Sequence, residues 1–106
     1  IPRMNRVDGK VAVVTGGTQG LGKAIAMNLA KMGAKGIVTL GRNEKRGEEV
    51  AMSVNQETSC ETYFFKTELS DVNNCREAIA FTLEKFSQID ILVNAAGLTD
   101  RGNIVE

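Results

Sequence analysis

A continuously apolar run, Val11-Ala12-Val13-Val14, breaks directly into Thr15-Gly16-Gly17-Thr18-Gln19-Gly20-Leu21-Gly22, and an amphipathic stretch follows from Lys23. An apolar run without alternation is what a strand covered on both faces requires. Glycines between strand and helix let backbone N–H groups approach an anion, and the helix N-terminus adds partial positive charge. The stretch therefore predicts a phosphate-binding strand–turn–helix unit.

Two phosphate motifs compete for this turn. The triphosphate loop G-x-x-x-x-G-K-[ST] is matched by Gly17 through Gly22 and Lys23, but Ala24 stands where a hydroxyl should hold magnesium. The later strand Ile89 to Val93 ends in Asn94, with no Asp at its tip to support that ion. The strict dinucleotide fingerprint G-x-G-x-x-G also fails, since its second and third glycines, counted from Gly16, fall on Thr18 and Leu21. The spacing present is T-G-x-x-x-G-x-G, from Thr15 and Gly16 through Gly20 and Gly22.

Further along, short β-branched or aromatic runs alternate with helical-period segments, the pattern of βαβ units on a parallel sheet. A helix is predicted from Lys23, with Ile25, Leu29 and Met32 on one stripe and Gly33 ending it. Ile37 to Leu40 reads as the second strand, ending at Gly41-Arg42-Asn43, and Glu44 to Val54 as a helix that Gly47 weakens. Thr62 to Phe65 is the third strand, with Ser70 or Asp71 capping the next helix. In that helix Val72, Cys75, Ile79, Leu83 and Phe86 recur at three or four residues and are expected to face the core. Ile89 to Val93 is the fourth strand, leading into Asn94-Ala95-Ala96-Gly97.

The glycine spacing and this last tetrapeptide together resemble the N-terminal part of a short-chain dehydrogenase/reductase. Members of that family carry the same glycine spacing after the first strand and an Asn-Asn-Ala-Gly motif after the fourth; here Ala95 replaces the second Asn. The resemblance runs from Val7 onward. It implies an α/β fold, the first half of a Rossmann-like doubly wound parallel sheet in strand order 3-2-1-4 with flanking helices. It also implies a nicotinamide cofactor and a small-molecule carbonyl or alcohol substrate.

The end of the second strand bears on which cofactor. An acid there would hydrogen-bond a free ribose 2′-hydroxyl, whereas a 2′-phosphate favours Arg or Lys. Gly41 stands 19 residues after Gly22, close to the expected place of the acid, and Arg42 follows. Gly41 removes repulsion and makes room, and Arg42 supplies a planar cation suited to phosphate oxygens. A cation so near a helix start is slightly misplaced with respect to the dipole, which points to a functional reason for Arg42. NADP(H) is expected, with NAD(H) the alternative; Gln19 stands where NADP-preferring relatives often place a second basic residue.

The resemblance also assigns Glu68 to the position of a family Asp that reaches the adenine, with Leu69 as a backbone or packing contact and Asp71 as a helix cap. The expected cofactor-binding set is Gly16, Thr18, Gln19, Gly20, Leu21, Gly22, Gly41, Arg42, Asn43, Glu68, Leu69, Asn94, Ala95, Ala96 and Gly97.

Composition narrows the alternatives. Thirteen basic and thirteen acidic residues give a formal charge of zero without a basic block, which argues against a nucleic-acid or anionic-membrane surface. The longest apolar runs fall far short of the ~20 residues of a membrane span. Ile1 to Arg6 lack the apolar core of a secretory signal and read as an N-terminal extension, with Ile1 to Arg3 a remnant ahead of Met4; a cytoplasmic protein is expected. With no His and no C-x-x-C pair, Cys60 and Cys75 read as free thiols rather than zinc ligands.

The family's chemistry, by resemblance, uses a Tyr and a Lys in a Y-x-x-x-K helix beyond the fourth strand, with a Ser and an Asn. The one Tyr, Tyr63, lies in a predicted strand and has Thr67 four positions on, so no catalytic set is expected within these 106 residues. They are expected to form one incomplete NAD(P)-binding domain of an enzyme that is a homo-oligomer when intact. The chain is expected to be inactive alone, with its fourth strand at a sheet edge and Thr99 to Arg101 in a solvated loop. A non-catalytic dinucleotide-binding or regulatory module is the alternative.

Overall fold

The computed structural model describes residues 7–16 and 20–95. Its elements run β1 (Val11–Thr15), α1 (Gly20–Lys31), β2 (Gly36–Gly41), α2 (Glu44–Glu57), β3 (Glu61–Lys66), α3 (Val72–Phe86) and β4 (Ile91–Asn94). The strands form one parallel sheet, as the βα alternation implies, in the order β3-β2-β1-β4 that the family resemblance implies. Val11 through Val14 and every residue of β2 are buried, which accounts for their unalternating sequence.

Each face of the sheet carries its own core. Ala12, Val14 and Ile37 pack with Ala26 and Ala30 of α1 and Val50 and Val54 of α2. Val11, Val13, Val38 and Leu40 point the other way, onto Ala78 and Phe86 of α3. Period-two alternation within each strand thus feeds two layers of helix, the doubly wound arrangement. Glycine in the middle of α2 has a packing reason: a Cβ at Gly47 would overlap the Phe64 ring of β3. Asn55 of α2 clamps that edge strand, its amide donating to the Thr62 carbonyl at 2.9 Å and its carbonyl accepting the Thr62 N–H at 2.8 Å.

Several boundaries and faces differ from the expectation. Helix α1 begins at Gly20, three residues before Lys23, so Gly20, Leu21 and Gly22 form its first turn. Glycine's low helix propensity hides this start, and burial of Gly22 against the sheet explains it. Helix α2 continues past Val54 to Glu57. Strand β4 starts at Ile91, because Ile89 belongs to the α3-side core and Asp90 ties the strand entrance down. The Val11 N–H donates to Asp90 Oδ2 at 2.9 Å, and the Asp90 N–H donates to the Val11 carbonyl at 2.8 Å.

The largest correction concerns α3. Val72, Ile79 and Leu83 are exposed, at 64%, 36% and 45%, and Cys75 is half-buried. The seat on the sheet is made by Ala78, Thr82 and Phe86. Small side chains at Ala78 and Thr82 let the helix lie close on the sheet, Phe86 fills the end of the seat as expected, and Val72, Ile79 and Leu83 are displaced to the flank. Among the described residues β4 pairs with β1 alone and its Leu92 is 67% exposed, so the strand stands at an edge as expected.

Candidate functional site

In a parallel sheet all C-terminal strand ends share one edge. The register places Thr15 beside Leu40 and Asn94, and Gly41 beside Lys66. Gly16, Gly41 with Arg42, Glu68, and Asn94 with Ala95 therefore gather along that edge although they are far apart in sequence. The strand order reverses between β1 and β4, where open α/β sheets form their ligand crevice.

Gly16 turns the chain out of β1 at φ 74, a left-handed conformation that side chains disfavour, while its N–H donates to the Leu40 carbonyl at 2.8 Å. The chain enters α1 at Gly20, and the first turn of that helix contains no acidic residue. Its leading N–H groups and dipole thus meet no acidic side chain from its own first turn. Gly20 and Leu21 are exposed and Gly22 is buried. Thr18 and Gln19 lie outside the described residues, as do Ala96 and Gly97.

The two expected motifs are physically joined. The Thr15 hydroxyl donates to Asn94 Oδ1 at 2.9 Å, with the Val93 carbonyl at 3.3 Å, so the residue before the glycine turn meets the first residue of the Asn-Ala-Ala-Gly segment. Thr15 is absent from the expected cofactor set; its place just before the glycine motif was the available signal. Ala95 is fully buried against the α1-side core, where the family motif carries an Asn.

At the far end, the Thr67 N–H donates to the Gly41 carbonyl at 2.7 Å, closing the β2–β3 ladder. Arg42 and Glu68 each follow one residue later, and Arg42 Nη1 lies 3.8 Å from Glu68 Oε1. Ser70 Oγ donates to Glu68 Oε2 at 3.1 Å, and the Glu68 N–H donates to Asn74 Oδ1 at 2.6 Å. Ser70, one of the two expected cap candidates for α3, supports Glu68 instead while Asp71 takes the cap, and Asn74 is a supporting residue that sequence alone did not single out. Asn43 caps α2, its Oδ1 accepting the Arg46 N–H at 3.0 Å, and Asp71 caps α3 through the Asn74 N–H at 3.2 Å. Leu69 is exposed and faces elsewhere: with Val72, Cys75, Arg76 and Ile79 it lines an apolar groove of about 330 Å³ along α3.

Tyr63 and Cys60 fit structural roles. The Tyr63 phenol donates to the Glu61 carboxylate, which holds its pKa above the usual value, the reverse of what a proton-transferring tyrosine requires. Burial pushes the Cys60 thiol up, against only a weaker opposing hydrogen bond with Thr62, so that thiol is protonated and inert at neutral pH. Among the described residues no helix is long and apolar enough to cross a membrane.

A doubly wound sheet whose first strand passes through a glycine turn into a helix, with polar groups of several strand ends on the edge beyond it, defines a Rossmann-type α/β protein. The sequence narrows that class further: the family pattern for short chain dehydrogenase matches residues 10–106, and the chain belongs to that family. A 3beta-hydroxysteroid dehydrogenase of Mediterraneibacter gnavus is 37% identical over 103 residues, covering 97% of this chain and 37% of that protein. The L-sorbose reductase of Gluconobacter frateurii, solved with NADPH and L-sorbose, superposes with a TM-score of 0.78 at 31% identity over 82% of this chain and 33% of its own. A short-chain dehydrogenase/reductase of Burkholderia phymatum, solved with NAD, gives 0.78 at 28% identity over 84% and 31%. The chain spans less than half the length of the curated relatives it matches, 37% and 44% for two of them.

Proposed function

We propose that the protein is an NADP(H)-dependent oxidoreductase interconverting a carbonyl and an alcohol, and that this chain carries its cofactor-binding part. In that reading the bound dinucleotide gives or accepts the hydride. The Gly16 turn and the first turn of α1, Gly20 to Gly22 preceded by Thr18 and Gln19, hold the pyrophosphate. Gly41, Arg42 and Asn43 receive the adenosine ribose, Glu68 borders the adenine with Leu69 contributing its backbone, and Asn94 to Gly97 line the nicotinamide side. The tyrosine and lysine of the reaction lie outside these residues, since Tyr63 is committed to Glu61. The intact enzyme is cytoplasmic and homo-oligomeric in this reading.

The observation that carries the cofactor choice is the Arg42 side chain, 78% exposed one residue beyond β2, next to a Gly41 that contributes neither charge nor bulk. A multi-donor cation so placed favours a 2′-phosphate over a hydroxyl. Relatives solved with NADPH and with NAD make either dinucleotide chemically reasonable, so the choice of NADP(H) rests on Arg42. The test is titration with NADPH and NADH before and after Arg42→Glu. NADPH should bind more tightly to the wild type and lose about tenfold or more in the variant, as expected for a charge-assisted contact turned repulsive. Unchanged NADPH affinity refutes the cofactor assignment, and indifference of the wild type to both dinucleotides refutes the binding role.

A further inference from the structure

We infer that Glu68 is a specificity-determining residue that tempers the preference of this site for a 2′-phosphorylated dinucleotide, acting through its ion pair with Arg42. The inference rests on the cofactor reading above and adds a second residue to it. The pairing is built into the sheet: the Gly41–Lys66 register and the Thr67 N–H to Gly41 carbonyl bond bring residues 42 and 68 side by side. Glu68 is held there from its own side, its backbone N–H by Asn74 and its Oε2 by Ser70, which leaves Oε1 toward Arg42.

Such a carboxylate has two opposing effects on a phosphate-binding arginine. It orients the guanidinium, which helps binding, and it offsets the positive charge that the phosphate needs, which hinders it. The geometry decides between them. The contact engages one nitrogen and one oxygen at 3.8 Å, longer than a hydrogen bond, and the side chains are 78% and 49% exposed. Orientation by so loose a pair is slight. The charge effect remains, because a 2′-phosphate on Arg42 must share the cation with Glu68 and sit near its carboxylate. A 2′-hydroxyl carries no charge and is unaffected.

The test is the ratio of NADPH to NADH affinity in the full chain, measured by fluorescence titration of wild type, Glu68→Gln, Arg42→Gln and the double variant. Any contact of residue 68 with the adenine is common to both dinucleotides and cancels in the ratio, as does a loss of folded protein. Glu68→Gln should raise the ratio about two- to fivefold, the range of an exposed ion pair, and the rise should vanish when Arg42 is already Gln. An unchanged or lowered ratio in Glu68→Gln overturns the inference, as does a rise that persists without Arg42. Failure of the parent reading is distinguishable, because it appears as a wild-type ratio that Arg42→Gln leaves unmoved.

Discussion

Replacing Gly16 by Ala tests whether backbone handedness at the end of β1 holds the glycine turn in place. At φ 74 an L-residue meets its own carbonyl, at a cost of about 1–2 kcal/mol. The chain can escape only by rotating residue 16, and that would break the 2.8 Å bond from its N–H to the Leu40 carbonyl, worth about 0.5–1.5 kcal/mol. Either route is destabilising, and the reduced freedom of the unfolded chain returns roughly 0.4–1 kcal/mol at most. A net loss of about 1 kcal/mol follows, which for a domain of this size lowers Tm by roughly 4–8 °C. The assay is urea and thermal unfolding of Gly16→Ala beside the D-alanine analogue made by peptide ligation. The D-residue prefers positive φ and should retain wild-type stability, with dinucleotide affinity falling in the L-variant and recovering in the D-variant. Equal destabilisation by the two would refute the argument, since the cost would then be space at a buried position rather than handedness.

Two further perturbations probe the scaffold under the site. A Cβ at Gly36 would run into the ring of buried Phe86, so Gly36→Ala should cost about 1–3 kcal/mol by overpacking, and less when combined with Phe86→Leu; additive losses in that pair would contradict the contact. The Asp90 carboxyl is held below the usual carboxylate range by the Val11 N–H and then by Gln88, so its contribution is present above the unfolded value of about 3.9 and is lost as pH falls through the lower folded one. The difference in Tm between wild type and Asp90→Asn should therefore shrink below about pH 4, and a difference that holds constant down to pH 2 would exclude the linkage.

Most of the topology was legible because each strand and turn announces itself locally. An unbroken Val11–Val14 run can be satisfied only between two helical layers, and a glycine cluster behind it fixes which strand enters the crevice. The helix faces were less legible, for one physical reason in two helices. In α1 the buried residues are Gly22, Ala26 and Ala30, while Ile25 and Leu29 pack from the side; in α3 they are Ala78, Thr82 and Phe86, while Val72, Ile79 and Leu83 lie outside. Hydrophobic magnitude marks the flanks of such a helix, and small residues mark the line where it touches the sheet. Periodicity weighted by hydrophobicity therefore points about one residue away from the true seat.

The charge pairing at the site was hidden for a different reason. Arg42 and Glu68 were each legible as candidate cofactor residues from their places after β2 and β3, and the expected strand order makes those strands neighbours, but nothing in the sequence gives the register that aligns Gly41 with Lys66. That register converts two independent expectations into one coupled unit. In the proposed reading a cation assigned to the ribose and an acid assigned to the adenine compete for each other, and the preference of the site would follow from their balance rather than from Arg42 alone. The same logic joins Thr15 to Asn94, whose side chains meet at 2.9 Å only because β1 and β4 are adjacent at the point where the strand order reverses. Single positions indicate which chemistry a strand end offers, and pairing across the sheet decides how strongly it is expressed.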